Sequence, residues 1–163
     1  MLPADIHDLA RKVIESYAEQ KRRIVTAESC TGGLIAGALT DIPGASDVLE
    51  RGFVSYSNAA KIEVLGVMPD VLESYGAVSA QIAEAMAKGA LEFSHADVAV
   101  SVTGIAGPGG GSSDKPVGLV YLGLADRKGA VFHYKCQFKG ERDEVRMAAV
   151  REALKLLLSA TTD

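Results

Sequence analysis

The chain has 163 residues, 48% of them hydrophobic, which suffices for one substantial core and predicts a single domain over residues 1–163. Its formal net charge of −4 argues against a general nucleic-acid binder, because phosphate neutralisation needs a basic field; a local anion site remains compatible. The two cysteines, Cys30 and Cys136, lie too far apart for a CxxC redox pair or a zinc-ligand pair; there is no secretory-signal pattern at the N-terminus and no apolar run of membrane-spanning length, so a soluble cytoplasmic protein is expected.

In chain order, Ile6, Leu9, Val13, Ile14 and Tyr17 recur at helical spacing and predict an amphipathic helix from Asp5 to Arg22, with Asp5 as its N-cap. Arg23 to Ala27 is a short β-favouring run. Glycines follow, then a small-residue helix from Gly33 to Thr40, which makes a strand, turn and helix unit. The Pro43-Gly44 turn leads into a second strand within Val48 to Ser57. Asn58 is placed to cap a short helix through Leu65, a brief helical piece follows Met68-Pro69-Asp70, and Ser79 caps an alanine-rich helix from Ala80 to Phe93.

The β-branched run "DVAVSVT", Asp97 to Thr103, predicts a central buried strand, followed by a loop rich in glycine and proline whose low-complexity part is Gly107 to Ser113. Val117 to Ala125 and Ala130 to Phe138 read as strands joined in a hairpin, and Glu141 to Ser159 as a final helix. Strands interleaved with helices, plus one hairpin, predict a three-layer α/β/α domain whose mixed sheet contains an antiparallel pair.

Ser29, in Thr26-Ala27-Glu28-Ser29-Cys30-Thr31-Gly32-Gly33, stands at a strand-to-helix junction. It can be a helix cap or a nucleophile, and free amides at a helix start suit developing negative charge or a phosphate. The three histidines, His7, His95 and His133, carry no protease or hydrolase signature, and no G-x-S-x-G surrounds Ser29, so a serine nucleophile would need another base. Lys61, in "SYSNAAK", is the candidate if burial lowers its pKa, with Tyr56 able to hydrogen-bond it or the serine. The bland alternatives are an exposed helical lysine and a core tyrosine. Cys30 is a rival nucleophile at the same turn.

Thr103-Gly104-Ile105-Ala106-Gly107 follows a buried strand as phosphate-cradling loops do, yet matches neither a dinucleotide fingerprint nor a P-loop. Two glycine-rich strand ends in one sheet can still converge on one crevice. Arg142 at the start of the last helix is suited to clamp a phosphate or carboxylate, whereas Arg146 and Arg151 are assigned to that helix's solvated face.

Taken together, "TAESCTGG", "RGFVSYSNAAKIEVLGV", "GAVSAQIAEAMAKGA", "SVTGIAGPGGGSSDKPVGLVYLGLA" and "FKGERDEVR" closely resemble, in order, the C-terminal domain of the CinA family, here in what looks like its stand-alone form. The resemblance implies hydrolysis of nicotinamide mononucleotide to nicotinic acid mononucleotide and ammonia, in pyridine nucleotide recycling, with no metal or organic cofactor. It places the family's serine nucleophile on Ser29, its lysine base on Lys61 and its active-site tyrosine on Tyr56. Thr103, Gly104 and Arg142 fall on family positions lining the nucleotide pocket; the turn amides of Cys30, Thr31, Gly32 and Gly33, or that of Gly104, are expected on the substrate side as an oxyanion hole, and a small-molecule nucleotide substrate and a homodimer are expected. The family's usual Gly-Asp-Arg is Gly140-Glu141-Arg142 here, a difference that bears on helix capping. A non-catalytic nucleotide-binding or regulatory module, linked to competence or DNA damage, is the rival reading, and ammonia release separates the two.

Overall fold

A computed structural model describes residues 2–161. A five-stranded mixed sheet, in the order β2-β1-β3-β4-β5, comprises β1 (Ile24–Glu28), β2 (Leu49–Val54), β3 (Val98–Gly104), β4 (Leu119–Asp126) and β5 (Val131–Gln137). β1 runs parallel to both β2 and β3, and β3-β4-β5 is antiparallel, so the hairpin supplies the antiparallel part as expected. Among the described residues, the helices are α1 (Ala4–Gln20), α2 (Leu34–Thr40), α3 (Asn58–Leu65), α4 (Pro69–Tyr75), α5 (Ala80–Glu92) and α6 (Arg142–Ser159), with a short 3-10 turn over Ala45–Asp47.

Alternation along the strands sorts side chains onto two unlike faces. Ile24, Val98, Val100, Val102, Val120, Leu122 and Leu124 face α1, α2 and α6, where large apolar groups such as Ile6, Ile35 and Leu154 complete the larger core. The opposite face offers Val25, Ala27, Ala99 and Ala125 to α5, whose Ala83, Ala87 and Ala90 are themselves small and buried. Small residues on both sides let α5 lie close to the sheet: a Cβ at Gly123 would fall 2.3 Å from the Ala83 carbonyl oxygen. Three layers follow, α/β/α, as the alternation predicts.

Two expected caps move by a residue or more. Asp5 does not cap α1; Pro3 occupies the N-cap position, where its missing N–H costs nothing, and Asp5 pairs instead with Arg151. Ser57, not Asn58, caps α3, its hydroxyl accepting the Ala60 amide at 3.0 Å. Ser79 caps α5 as predicted, accepting from the Ile82 amide at 3.2 Å. At α6, Glu141 and Glu144 form a reciprocal capping box, so the longer acid still serves the helix start.

Candidate active site

Parallel pairing brings three chain segments to one sheet end. Glu28 at the end of β1 lies opposite Val54 of β2 and Val102 of β3. The ladder continues one residue beyond, with the Ser29 amide donating to the Val102 carbonyl at 3.0 Å and the Ser55 amide to the Glu28 carbonyl at 2.9 Å. Ser29, Ser55-Tyr56 and Thr103-Gly104 therefore leave the carboxyl ends of adjacent parallel strands together, where crevices form in α/β sheets.

A cavity of about 260 Å³ opens there, lined by Ser29 and Cys30, by Tyr56, Asn58 and Lys61, by Ala77 and Val78, by the loop from Thr103 to Gly110, and by Arg142. Lys61 lies on the same face of α3 as Leu65, one turn later, and is only 1% exposed. Its Nζ is 3.1 Å from Ser29 Oγ and 3.2 Å from each of the Ser55 and Tyr56 carbonyl oxygens. Among the described residues no carboxylate pairs with it. Burial therefore lowers its pKa from the ordinary lysine value, against a smaller opposing pull from Cys30. Ser29 itself is 7% exposed.

The tyrosine meets the lysine through its backbone, not its phenol. The Tyr56 side chain points outward, 60% exposed, and its hydroxyl accepts from Arg142 Nη2 at 3.1 Å, while Arg142 Nη1 donates to the Gly107 carbonyl at 2.6 Å. Arg142 thus spans the mouth between the glycine loop and the segment preceding α3. Thr103 lines the cavity with its hydroxyl committed to the Ala77 carbonyl at 2.8 Å, and a Cβ at Gly104 would stand 2.6 Å from Val120 Cγ2. Close strand packing is what requires that glycine.

The expected helix-start site is occupied by the protein itself. The carboxylate of buried Glu28 accepts from the Thr31 hydroxyl at 2.7 Å and from the Ile35 and Ala36 amides at 2.8 and 3.0 Å, which fills the start of α2. Thr31 is fully buried, Gly32 is exposed and Gly33 half-buried, and none of the three lines the cavity. Gly32 and Gly33 instead supply left-handed φ values of 59° and 101°. Burial also pushes the Cys30 thiol up to about 11, with Glu28 adding to the effect, so the turn does not favour a thiolate.

Arg146 is not a solvated-face residue. Its Nε donates to the Cys30 carbonyl at 3.0 Å and its Nη2 to the Thr31 carbonyl at 3.3 Å. Arg151, by contrast, pairs at the surface with Asp5 as that assignment anticipated. Glu28 carried a signal in the sequence, an acid ending an otherwise uncharged strand directly before Ser29; Arg146 carried only its spacing of one helical turn from Arg142. None of the three histidines lines the cavity. Among the described residues no cluster of side chains suited to a metal ion occurs, and no helix is long and apolar enough to cross a membrane.

A three-layer α/β/α protein with a buried serine-lysine contact at its parallel strand ends is the class that fold and site define. Residues 6–161 match the family described as the CinA C-terminal domain. Over 153 residues the chain is 51% identical to the nicotinamide-nucleotide amidohydrolase PncC of Enterobacter agglomerans, covering 94% of this chain and 93% of that one. It is 51% identical over 152 residues, 93% of its length, to a CinA-like protein of Akkermansia muciniphila, of which it spans 37%. The crystal structure of the competence/damage inducible protein CihA from Agrobacterium tumefaciens matches with a TM-score of 0.97 at 52% identity, covering 100% of this chain and 99% of that one. The chain belongs to the CinA C-terminal domain family.

Proposed function

We propose that the chain is a nicotinamide-nucleotide amidase that hydrolyses nicotinamide mononucleotide to nicotinic acid mononucleotide and ammonia, with Ser29 as nucleophile and Lys61 as base. The observation that carries the mechanism is the 3.1 Å contact between Lys61 Nζ and Ser29 Oγ, made by a buried lysine that has no carboxylate partner among the described residues. The substrate is supported by the 51% identity to the Enterobacter agglomerans amidohydrolase over nearly the whole of both chains.

A neutral lysine amine has two N–H bonds and one lone pair. The carbonyls of Ser55 and Tyr56, each 3.2 Å away, match the two donors, which leaves the lone pair for the Ser29 O–H. Lys61 accepts the serine proton as Oγ attacks the carboxamide carbon, then returns it to the nitrogen as the C–N bond breaks and ammonia departs. Water, deprotonated by Lys61, attacks the resulting ester, and the proton returns to Ser29.

The oxyanion is assigned to the amide of Cys30, which adjoins the nucleophile in the cavity wall and donates to no backbone acceptor among the described residues. The phosphate is assigned to Arg142 and to the loop amides of Ala106, Gly107, Gly109 and Gly110, which line the cavity and likewise have no acceptor among the described residues. We further place the enzyme in the cytoplasm, in pyridine nucleotide recycling, as a homodimer; a monomer in light scattering would remove the last point.

The test is ammonia release from nicotinamide mononucleotide by the purified chain. Ser29→Ala should lower kcat by at least about 1,000-fold while the nucleotide still binds, and Lys61→Arg should do likewise because a guanidinium accepts no proton near neutrality. Turnover near the unsubstituted level in either variant would exclude the residue concerned from its role.

A further inference from the structure

The turn that carries Ser29 has little internal support. Gly32 and Gly33 are both left-handed, and the Gly32 amide donating to the Ser29 carbonyl at 3.0 Å and the Leu34 amide to that of Thr31 at 3.0 Å are its own backbone bonds. Yet the three successive carbonyls of Ser29, Cys30 and Thr31 are all engaged, the last two by the guanidinium of half-buried Arg146 at 3.0 and 3.3 Å. From the other side, the Glu28 carboxylate takes the Thr31 hydroxyl and the first free amides of α2. A cation on the acceptors and an anion on the donors bracket one five-residue loop.

We propose that Arg146 is a positioning residue for the nucleophile: by holding the Cys30 and Thr31 carbonyls toward α6, it keeps Ser29 Oγ and the Cys30 amide aimed into the cavity, with Glu28 as the opposing support. The inference rests on the amidase reading above. A planar guanidinium fork can serve two carbonyls at once, which a single ammonium on a flexible stem does with less geometric control. Small displacements of a nucleophile or an oxyanion donor are expensive in rate, so a residue that never meets the substrate can still govern turnover.

The helix offers its own comparison. Arg142, one turn earlier on α6, reaches the Gly107 carbonyl and the Tyr56 hydroxyl in the cavity wall, whereas Arg146 lies outside the lining and grips the turn from behind. The two arginines therefore separate kinetically. Loss of Arg142 weakens binding, and loss of Arg146 slows chemistry.

Steady-state ammonia release from nicotinamide mononucleotide by the full chain tests this. Arg146→Ala should lower kcat by about 10- to 100-fold with KM within about twofold of the original, while Arg142→Ala chiefly raises KM. Ethylguanidinium in millimolar amounts should restore part of the Arg146→Ala rate, and ethylammonium should not. Arg146→Lys, which keeps the charge and the helix, should show a smaller loss of kcat at nearly unchanged Tm, and it decides the matter if the alanine variant does not fold. A kcat within twofold of the original in Arg146→Lys and in any folded Arg146→Ala, or a rise in KM alone, overturns the proposal. If the unsubstituted chain releases no ammonia, the amidase reading fails instead, and the bracket is then read from the rate at which a fluorophosphonate labels Ser29, which Arg146→Ala or Arg146→Lys should slow and which an unchanged rate would contradict.

Discussion

Lys61 reaches its place because α3 turns the face shared with Leu65 inward, and a lysine on that face loses most of its hydration. Burial favours the neutral amine, so the pKa falls below the ordinary 10.5. The sign for catalysis follows: kcat/KM should rise with pH as Lys61 loses its proton, along a limb whose midpoint lies below 10.5. That limb should be present in the original chain and missing from any residual activity of Lys61→Arg. A limb that persists unchanged in Lys61→Arg would remove Lys61 as the titrating base. The same shift has a stability counterpart. Between the lowered pKa and 10.5 the unfolded chain binds more protons at this residue than the folded one, so this contribution to stability grows as pH rises through that window.

At the scale of elements, α5 is what fixes α3 relative to the sheet. A Cβ on Gly89 of α5 would lie 1.9 Å from the carbonyl oxygen of Leu65, the last residue of α3, so only glycine permits the approach. Alanine is ordinarily the better helix former by about 1 kcal/mol, but here the clash must push the two helices apart. Gly89→Ala should therefore cost about 1–3 kcal/mol net, lower Tm by roughly 2–10 °C, and reduce kcat by moving Lys61 away from Ser29. Thermal melts and ammonia assays on the same preparation check both parts; a stabilised, fully active variant would show that α3 is held elsewhere. The alanine-rich pattern of α5 was legible as close packing in the sequence. Which glycine meets which carbonyl was not, because that depends on how two helices cross.

At the scale of the whole molecule, the layer formed by α1 and α6 closes the sheet face away from α5. The buried Tyr17 hydroxyl of α1 donates at 2.8 Å to the Leu157 carbonyl, a last-turn acceptor of α6 to which no amide donates among the described residues. Tyr17→Phe removes the donor and leaves that carbonyl unsatisfied, so it should cost about 1–2 kcal/mol in urea unfolding. Because Tyr17 lies outside the cavity wall, kcat and KM should stay at their original values. A change in kcat at unchanged stability would mean that the two ends of the sheet are coupled in a way these contacts do not provide.

Periodicity and local turn chemistry in the amino-acid sequence determined the order of strands and helices, the mixed character of the sheet, the Ser79 cap and the adjacency of a small-residue turn to a strand end, because each depends on neighbours a few residues away. The family motifs mark Ser29, Lys61 and Arg142 as candidate site residues. Tertiary structure alone decided that Lys61 Nζ touches Ser29 Oγ, that Tyr56 offers its carbonyl to the lysine and its phenol to Arg142, and that Glu28 rather than a ligand fills the start of α2. Arg146 is the plainest case. Its partner, the carbonyl of Cys30, is 116 residues away, and a backbone acceptor leaves no mark on residue identity that periodicity or composition could register.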